Sequence, residues 1–173
     1  MKTTCLTLAA AGLLLMAAGV SLGEQPPNAR IDYERFQLLT RELDAVRREH
    51  RLSEEDFIRA AAEPGTIVLD ARTLDKYEQI HVKGAVHLAF TDFTEEALAK
   101  VIPDKATKIL IYCNNNFSGE RVNFPGKRQV ALNIPTFINL HAYGYTNVYE
   151  LGPLLDVKTT KIPFEGKSLK QSP

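Results

Sequence analysis

The fold is decided by the segment Lys108-Ile109-Leu110-Ile111-Tyr112-Cys113, in which four consecutive apolar residues run directly into a cysteine. A short apolar run of this kind predicts a strand that is buried on both faces, which is typical of a parallel sheet. In such sheets, ligands bind beyond the carboxyl ends of the strands. Cys113 is therefore the first candidate functional residue.

The sequence on either side of this strand alternates between short apolar runs and helical patterns. Strands are predicted at 66–69, 85–88 and 147–151, and helices are predicted after Thr73, after Thr94 and over about 130–142. Pro135 either kinks the last of these helices or lies in its first turn. Strands that alternate with helices predict an α/β fold, in which a central parallel sheet carries helices on both faces.

Two further helices are predicted before the first of these strands. The first spans about 31–50, and its apolar residues recur in steps of three and four: Phe36, Leu39, Leu43 and Val46. The end of this helix is basic and contains Arg47, Arg48, His50 and Arg51. We interpret it as a solvated last turn that complements the helix dipole, and a docking patch is the alternative. Ser53 is the predicted N-cap of the second helix, which stops near Pro64.

The composition excludes several classes of function. The 173 residues include 21 Lys and Arg against 21 Asp and Glu, so the formal net charge is zero and nothing indicates bulk attraction to nucleic acid or to an anionic membrane. A hydrophobic content of 45% is typical of a globular protein. Cys5 and Cys113 are the two cysteines, and they lack the clustering of a metal site, so neither a disulfide framework nor a bound metal is predicted.

Residues 1–23 have the pattern of a secretory signal peptide. Lys2 precedes an uncharged apolar run over 6–20, and Ser21-Leu22-Gly23 is a small-x-small cleavage site. The run is short for a bilayer span, which needs about 20 residues, although an uncleaved anchor is the alternative. We therefore expect a secreted or periplasmic protein that has no membrane association after cleavage and keeps Cys113 as its one thiol.

Cys113 is expected to be reactive. At the end of a strand, backbone N–H groups of the following loop and helix gather around the side chain, and such surroundings lower the pKa of a thiol from about 8.5 toward roughly 3.5–7.5. The side chain is then a nucleophilic thiolate near neutral pH. The alternative is that Cys113 is a small, inert apolar residue at a strand end.

Five motifs, in their order along the chain, resemble the rhodanese-like family. They are Val68-Leu69-Asp70-Ala71-Arg72, Asp75-Lys76-Tyr77, His81-Val82-Lys83-Gly84-Ala85-Val86-His87-Leu88, Ile109-Leu110-Ile111-Tyr112-Cys113 and Tyr143-Gly144-Tyr145-Thr146-Asn147-Val148-Tyr149-Glu150-Leu151-Gly152. The resemblance implies a sulfurtransferase: Cys113 takes a sulfane sulfur from a small donor, becomes a persulfide and passes the sulfur to a thiol acceptor. It implies neither a metal nor an organic cofactor.

The resemblance also sets the predicted domain boundaries and assigns supporting residues. The chain divides into a signal peptide (1–23), a linker and helix (24–52), a single rhodanese-like domain (53–166) and a tail (167–173). Asp70 and Arg72 match the family's aspartate and arginine after the first strand, and His81 matches the turn before the second. All three are expected to brace the structure rather than to take part in catalysis.

The loop after the cysteine departs from the family pattern. The resemblance implies a short loop with an arginine that binds the anionic donor, whereas this loop lacks the arginine and is longer by about a dozen residues. The residues assigned to substrate binding are Asn114, Asn115, Asn116, Phe117, Ser118 and Arg121. The three asparagines form either an anion-binding nest or a simple turn. Arg121, Lys127 or Arg128 is expected to supply the missing positive charge.

Two other functions stay open at this point. One is a non-catalytic binding module whose protein partner docks on the enlarged loop and the N-terminal helix. The other is a redox sensor in which Cys113 oxidises reversibly. A cysteine phosphatase is not predicted, because it needs an arginine at a short, fixed interval after the cysteine to bind phosphate bidentately, and Gly119 and its neighbours do not provide one.

Overall fold

The computed structural model describes residue 28 and residues 31–171 of the chain. The chain divides after Asp32 into two units, and the fold given below is that of the second unit, which begins at Tyr33. The predicted signal peptide, residues 1–23, lies outside the described residues. Within the described residues, no helix combines the length and the apolar character that crossing a bilayer requires.

The described part of the second unit contains five α-helices and nine short strands. The helices are α1 (Tyr33–Glu49), α2 (Glu54–Ala61), α3 (Leu74–Gln79), α4 (Glu95–Val101) and α5 (Asn133–Ala142). The strands are β1 (Arg51–Leu52), β2 (Ile67–Asp70), β3 (His81–Val82), β4 (Val86–His87), β5 (Ile109–Tyr112), β6 (Phe117–Ser118), β7 (Val148–Leu151), β8 (Leu155–Asp156) and β9 (Phe164–Glu165).

Five of the strands form a central, all-parallel sheet in the order β1-β7-β5-β2-β4. The strand that ends at Cys113, β5, is the middle strand: Ile109 pairs with Ile67 on one side and with Val148 on the other. Because the strands are parallel, the loops after β2, β5 and β7 leave the sheet at the same edge. The predicted α/β fold with a central parallel sheet is confirmed.

The two faces of β5 pack against different helices, because alternate side chains of a strand point to opposite faces. Leu110 belongs to a buried cluster that includes Phe57 of α2. Ile111 belongs to a second buried cluster with Leu98 of α4 and Phe137 of α5, and Leu43 and Val46 of α1 pack against this second cluster. Helices therefore cover both faces of the sheet, as predicted.

Side-chain caps fix the start of two helices where the sequence predicts them. The backbone N–H of Asp56 donates to Ser53 Oγ (3.1 Å), and the backbone N–H of Ala97 donates to Thr94 Oγ1 (3.1 Å). Each bond satisfies one of the N–H groups that the first turn of a helix leaves without a partner. Thr73 precedes α3 without such a bond.

The last helix begins later than its apolar pattern predicts. Val130 lies outside α5 and is 69% exposed, whereas Pro135 is the third residue of the helix. Pro135 thus lies in the first turn, where its missing N–H has no intrahelical partner to lose, and it does not kink the helix. Gly144 follows the end of α5 with a φ of 86°, a left-handed conformation that favours glycine.

Five of the two-residue strands are not predicted from the sequence, whereas β4 lies inside the strand predicted at 85–88; the five are β1, β3, β6, β8 and β9. The sequence predicts Arg51 at the end of the first helix and assigns Leu52 to no element, but these two residues form β1 and pair with β7. Two further pairs lie outside the central sheet, β3 with β9 and β6 with β8. Two-residue strands carry no periodicity, so only the tertiary fold determines them.

Candidate functional site

Cys113 lies at the carboxyl end of the middle strand and is only 1% exposed. The chain then forms a single 3₁₀ turn over Asn114–Asn116. The side chain of Asn116 closes this turn, because its Oδ1 accepts a hydrogen bond from the backbone N–H of Cys113 (2.9 Å). The turn directs the following backbone around the sulfur.

Backbone N–H groups surround the Cys113 sulfur, as the sequence predicts for this position. The backbone N–H groups of Asn115, Leu132 and Asn133 act on the sulfur, and Asn133 is the first residue of α5. Burial raises the pKa of the thiol more than these N–H groups lower it, and the nearby charge of Glu150 raises it further. The net pKa therefore lies above the ordinary thiol value.

The expectation that Cys113 is a thiolate near neutral pH is therefore wrong for this structure. Amide dipoles stabilise a charged sulfur, yet they do not offset the cost of removing it from water. Cys113 is a free cysteine, so the sulfur is still available for chemistry. Its reaction as a nucleophile requires that the proton be lost first.

Asn116 connects three elements around the cysteine. Its Oδ1 also accepts a hydrogen bond from Asn133 Nδ2 (3.0 Å), and its Nδ2 donates to the backbone oxygens of Leu151 (2.7 Å) and Pro153 (3.2 Å). The end of β5, the end of β7 and the start of α5 are thus held together by one buried side chain. Asn116 positions Cys113 rather than leaving its amide available to a ligand.

A cavity of about 130 Å³ opens beside Cys113. Its wall includes Asn115 and Asn116 of the 3₁₀ turn, Asn133 of α5, and Gly152 at the end of β7. A Cβ at Gly152 would lie 3.1 Å from the backbone oxygen of Leu52, so a larger residue would push β1 away from β7. The glycine keeps the two strand ends close on this side of the cavity.

Two arginines from before the first long strand line the same cavity. Arg47 comes from the last turn of α1 and Arg51 from β1, and both were predicted to belong to a solvated helix end. Arg51 also donates to the backbone oxygen of Gly152 (3.1 Å), which holds it at the rim. The basic residues expected to serve Cys113, Lys127 and Arg121 among them, do not line the cavity.

A buried carboxylate lies between these arginines. Glu150 of β7 is 2% exposed at its side chain, and its Oε1 lies 2.9 Å from Arg47 Nη2 and 3.1 Å from Arg51 Nε. Burial raises the pKa of Glu150, and both arginines oppose this rise. The register explains the contact, because Arg51 pairs directly with Glu150 across β1 and β7.

Three polar atoms of cavity residues have no hydrogen-bond partner among the described residues. They are Arg47 Nε, Asn133 Oδ1 and Glu150 Oε1, the last of which is ion-paired but not aligned for a hydrogen bond. Buried polar atoms are nearly always hydrogen-bonded, so a group of exceptions on one cavity wall is typical of a functional site. These atoms are themselves almost inaccessible, so they show that the wall is incompletely paired and are not exposed binding groups.

Two of the six residues assigned to substrate binding lie on this wall, Asn115 and Asn116. Asn115 is occupied by the enlarged loop, since its Nδ2 donates to the backbone oxygen of Lys127 (2.6 Å) and its Oδ1 accepts from the backbone N–H of Lys127 (2.9 Å). The asparagine turn is therefore a structural element that also contributes an N–H group to the sulfur.

The other four assigned residues do not line the cavity: Asn114, Phe117, Ser118 and Arg121. Phe117 turns into the core, where its ring lies 4.8 Å from that of Phe124 and 5.0 Å from that of Phe164. Arg121 is exposed. Directly after the asparagines, the chain enters β6, which pairs with β8. The geometry therefore does not support substrate binding by these four residues.

Asp70 and Arg72 form a fully buried ion pair. Arg72 Nε and Nη2 lie 2.9 Å and 2.6 Å from the two carboxylate oxygens, and the Tyr112 hydroxyl donates to the same carboxylate. The guanidinium also donates to the backbone oxygens of Ile80 (2.7 Å) and Asn123 (3.2 Å). This network ties the loop after β2 to the enlarged loop after β5.

His81 lies away from the cysteine, beside α3. Its Nδ1 lies 2.6 Å from the backbone oxygen of Tyr77, its ring stacks on that of Tyr77 (3.9 Å), and its Nε2 lies 3.3 Å from Glu165. His81 does not line the Cys113 cavity. Among the described residues, no group of three or more His, Cys, Asp or Glu side chains is arranged to hold a metal ion.

Comparison of the sequence with models of protein families confirms the resemblance that the motifs indicate. The sequence model of the rhodanese-like domain matches residues 53–152, which is more than half of the chain. The chain belongs to the rhodanese-like family. In this rhodanese-like protein, Arg47 of α1 and Arg51 of β1 line the cavity, although both precede the matched region.

The chain is similar to a known sulfurtransferase in sequence and to a known rhodanese-like domain in structure. Thiosulfate sulfurtransferase PspE of Escherichia coli is 28% identical over 95 residues, which make up 54% of this chain and 76% of that protein. The solution structure of a rhodanese-like domain from Anabaena sp. aligns with a TM-score of 0.53 and 20% identity, over 72% of this chain and 84% of that one. The second similarity supports the fold alone.

Proposed function

We propose that this rhodanese-like protein is a sulfurtransferase in which Cys113 carries the transferred sulfur as a persulfide. The observation that carries the proposal is the surroundings of the sulfur, on which the backbone N–H groups of three residues act beside a cavity lined by two arginines. The similarity to a protein named thiosulfate sulfurtransferase supports the same class of reaction.

The transfer proceeds in two balanced steps. The Cys113 thiol loses its proton to water, and the thiolate attacks the outer sulfur of an anionic donor. A sulfur–sulfur bond forms on Cys113 while the donor's own bond to that sulfur breaks, and its electron pair leaves as sulfite from thiosulfate or as a sulfinate from a thiosulfonate. An acceptor thiolate then attacks the outer sulfur of the persulfide and releases the Cys113 thiolate, so neither step needs an external oxidant or reductant.

The backbone around Cys113 favours the charged forms of this cycle. The N–H groups of Asn115, Leu132 and Asn133 act on the thiolate and on the persulfide anion, and two of them come from the start of α5, where the helix dipole is positive. Fixed dipoles of this kind stabilise charge that develops during the reaction without reorganising.

Arg47 and Arg51 take the place of the arginine that the loop lacks. Both arginines line the cavity beside Cys113. An anionic donor in the cavity therefore meets positive charge from the N-terminal helix and β1.

The test is sulfide release with dithiothreitol as the acceptor, because this dithiol takes the sulfur and then closes to a cyclic disulfide with loss of sulfide. Wild-type protein should release sulfide from thiosulfate or from methanethiosulfonate, and Cys113→Ser should not. Cys5→Ser is the matched control and should retain full activity. Equal sulfide release by wild type and Cys113→Ser would refute the proposal.

We further propose that the protein is exported, with cleavage after Gly23. The apolar run and the small-x-small site of the N-terminal sequence support this proposal. Intact mass of the protein from fractionated cells should correspond to a chain that begins at Glu24, outside the cytosol. A full-length chain in the cytosolic fraction would contradict export, and a full-length chain in the membrane fraction would favour an uncleaved anchor.

A further inference from the structure

The proposed reaction makes no use of the carboxylate in the Cys113 cavity. Glu150 lies on the cavity wall, between Arg47 and Arg51, and is almost completely buried. Its Oε2 accepts a hydrogen bond from Arg47 Nη2 (3.0 Å), while Oε1 has no aligned donor among the described residues. A buried carboxylate beside a site for anions opposes their binding, so its presence there requires an explanation.

While Cys113 is protonated, which its raised pKa favours, the charges on the cavity wall add up to one positive unit. Arg47 and Arg51 contribute two positive charges, and Glu150 cancels one of them. A ligand with a single negative charge neutralises the site. A second negative charge on the ligand has no positive partner left and faces the buried carboxylate, where low polarity strengthens the repulsion.

We propose that Glu150 sets the donor specificity of the cavity, so that singly charged sulfane-sulfur donors, such as thiosulfonates and alkyl persulfides, react in preference to doubly charged thiosulfate. This inference rests on the proposed sulfur transfer, because it names the class of donor for the same site. Glu150 is in this sense a specificity-determining residue that acts on the donor by its charge and on the arginines by pairing with them.

The direct test compares two donors of similar shape and different charge. Thiosulfate and methanethiosulfonate share the sulfonyl-sulfur frame, but an anionic oxygen of the first is a methyl group in the second. The rates of persulfide formation on Cys113 are measured for wild type and Glu150→Gln. One unit of charge at this site corresponds to a change of about tenfold, so the thiosulfate-to-thiosulfonate rate ratio should rise about tenfold in the variant. An unchanged ratio would overturn the proposal.

A second test is independent of sulfur transfer. Iodoacetate and iodoacetamide alkylate the same thiolate but differ by one negative charge, so their rate ratio reports the charge of the cavity and cancels any change in the thiol pKa. Glu150→Gln should raise the iodoacetate-to-iodoacetamide ratio, and Arg51→Gln should lower it. Arg48→Gln is the matched control, because Arg48 is exposed and pairs with Asp44 on the same helix.

The outcomes separate the two proposals. If neither donor forms a persulfide on the wild type but the alkylation ratios shift as stated, sulfur transfer fails and charge selection by Glu150 stands. If the ratios are the same in wild type, Glu150→Gln and Arg51→Gln, charge selection is overturned whatever the donors do. Arg51 is half-exposed, so its variant provides this answer even where Glu150→Gln does not fold.

Discussion

Replacing Arg47 by glutamine should slow the reaction of Cys113 with anionic donors while its reaction with neutral reagents changes much less. Arg47 lines the cavity beside the sulfur, and its side chain is 29% exposed. Water therefore screens the attraction between its guanidinium and a bound anion only in part. Arg51, which is 49% exposed, lies in the same wall and should act on the anion more weakly.

The size of the effect follows from the cavity. A volume of about 130 Å³ corresponds to a sphere roughly 6 Å across, so we take about 6 Å as the separation between a bound donor and the charge of an arginine that lines the cavity. At an effective dielectric constant of about 40, one pair of unit charges at this distance gains about 1.4 kcal/mol, or a factor of about ten. For the more exposed Arg51, an effective dielectric constant nearer that of water halves the interaction energy, which corresponds to a change of about threefold in the rate.

The assay is the second-order rate of persulfide formation on Cys113 with methanethiosulfonate, followed by intact mass. Each rate is divided by the rate of alkylation with neutral iodoacetamide, which corrects for changes in the thiol pKa and in access to the sulfur. Arg47→Gln should lower the corrected rate about tenfold and Arg51→Gln about threefold. In wild type, added salt should lower the same rate, because it screens charges that are partly exposed.

Arg48→Gln removes the same charge from the same helix and serves as the control. It should leave the corrected rate within about twofold, since Arg48 is exposed and does not line the cavity. Equal rates for wild type, Arg47→Gln and Arg51→Gln would show that the N-terminal arginines do not serve Cys113. An equal loss in all three arginine variants would instead indicate a general effect of net charge.

Three further outcomes are expected. As the pH rises, the rate of alkylation of Cys113 by iodoacetamide should increase with an inflection above the ordinary thiol pKa, because burial raises the pKa and only the thiolate reacts. Mass spectrometry over a pH series measures this rate, and an inflection near neutrality would contradict the prediction. Asn116→Ala should lower the free energy of unfolding in urea by about 2–4 kcal/mol, since it leaves the Cys113 N–H and the Leu151 oxygen without their partner, and a loss below about 1 kcal/mol would speak against a connecting role. Arg72→Met should lower the free energy of unfolding by about 3–5 kcal/mol, because it leaves Asp70 buried without its ion-pair partner, and adding Asp70→Asn should recover part of that loss in the same denaturation assay.

The sequence predicts the sheet well because its central strand has an unambiguous pattern. Four consecutive residues of β5 are fully buried, and an uninterrupted apolar run is what such a strand requires. The capping side chains of Ser53 and Thr94 are equally local signals, and both helices begin where these residues indicate. Elements of two residues, such as β1, contain no comparable signal.

The cavity wall was missed because its residues come together only through strand pairing. Arg47 and Arg51 have the spacing of a charged helix end, and nothing local distinguishes that pattern from a solvated turn. Glu150 carried the available signal: it is a carboxylate inside a predicted apolar strand, and a buried carboxylate needs a basic partner. The register of β1 against β7 then identifies Arg51 as one such partner.

The chemistry of Cys113 was predicted in part. The position of the cysteine at the end of β5 correctly indicates that backbone N–H groups gather around the sulfur. The direction of its pKa depends on how deeply the packed loops bury it, which the local sequence does not determine. The effect of nearly complete burial on the thiol pKa outweighs that of the three backbone N–H groups and reverses the expected direction.

Intact mass of the protein after incubation with methanethiosulfonate, and separately with thiosulfate, tests the assignment of Cys113 most directly. One added sulfur atom is expected on wild type and on Cys5→Ser, removable by dithiothreitol and absent from Cys113→Ser. A protein whose mass stays unchanged with both donors, even at a pH where iodoacetamide alkylates Cys113, would contradict its role as the sulfur carrier.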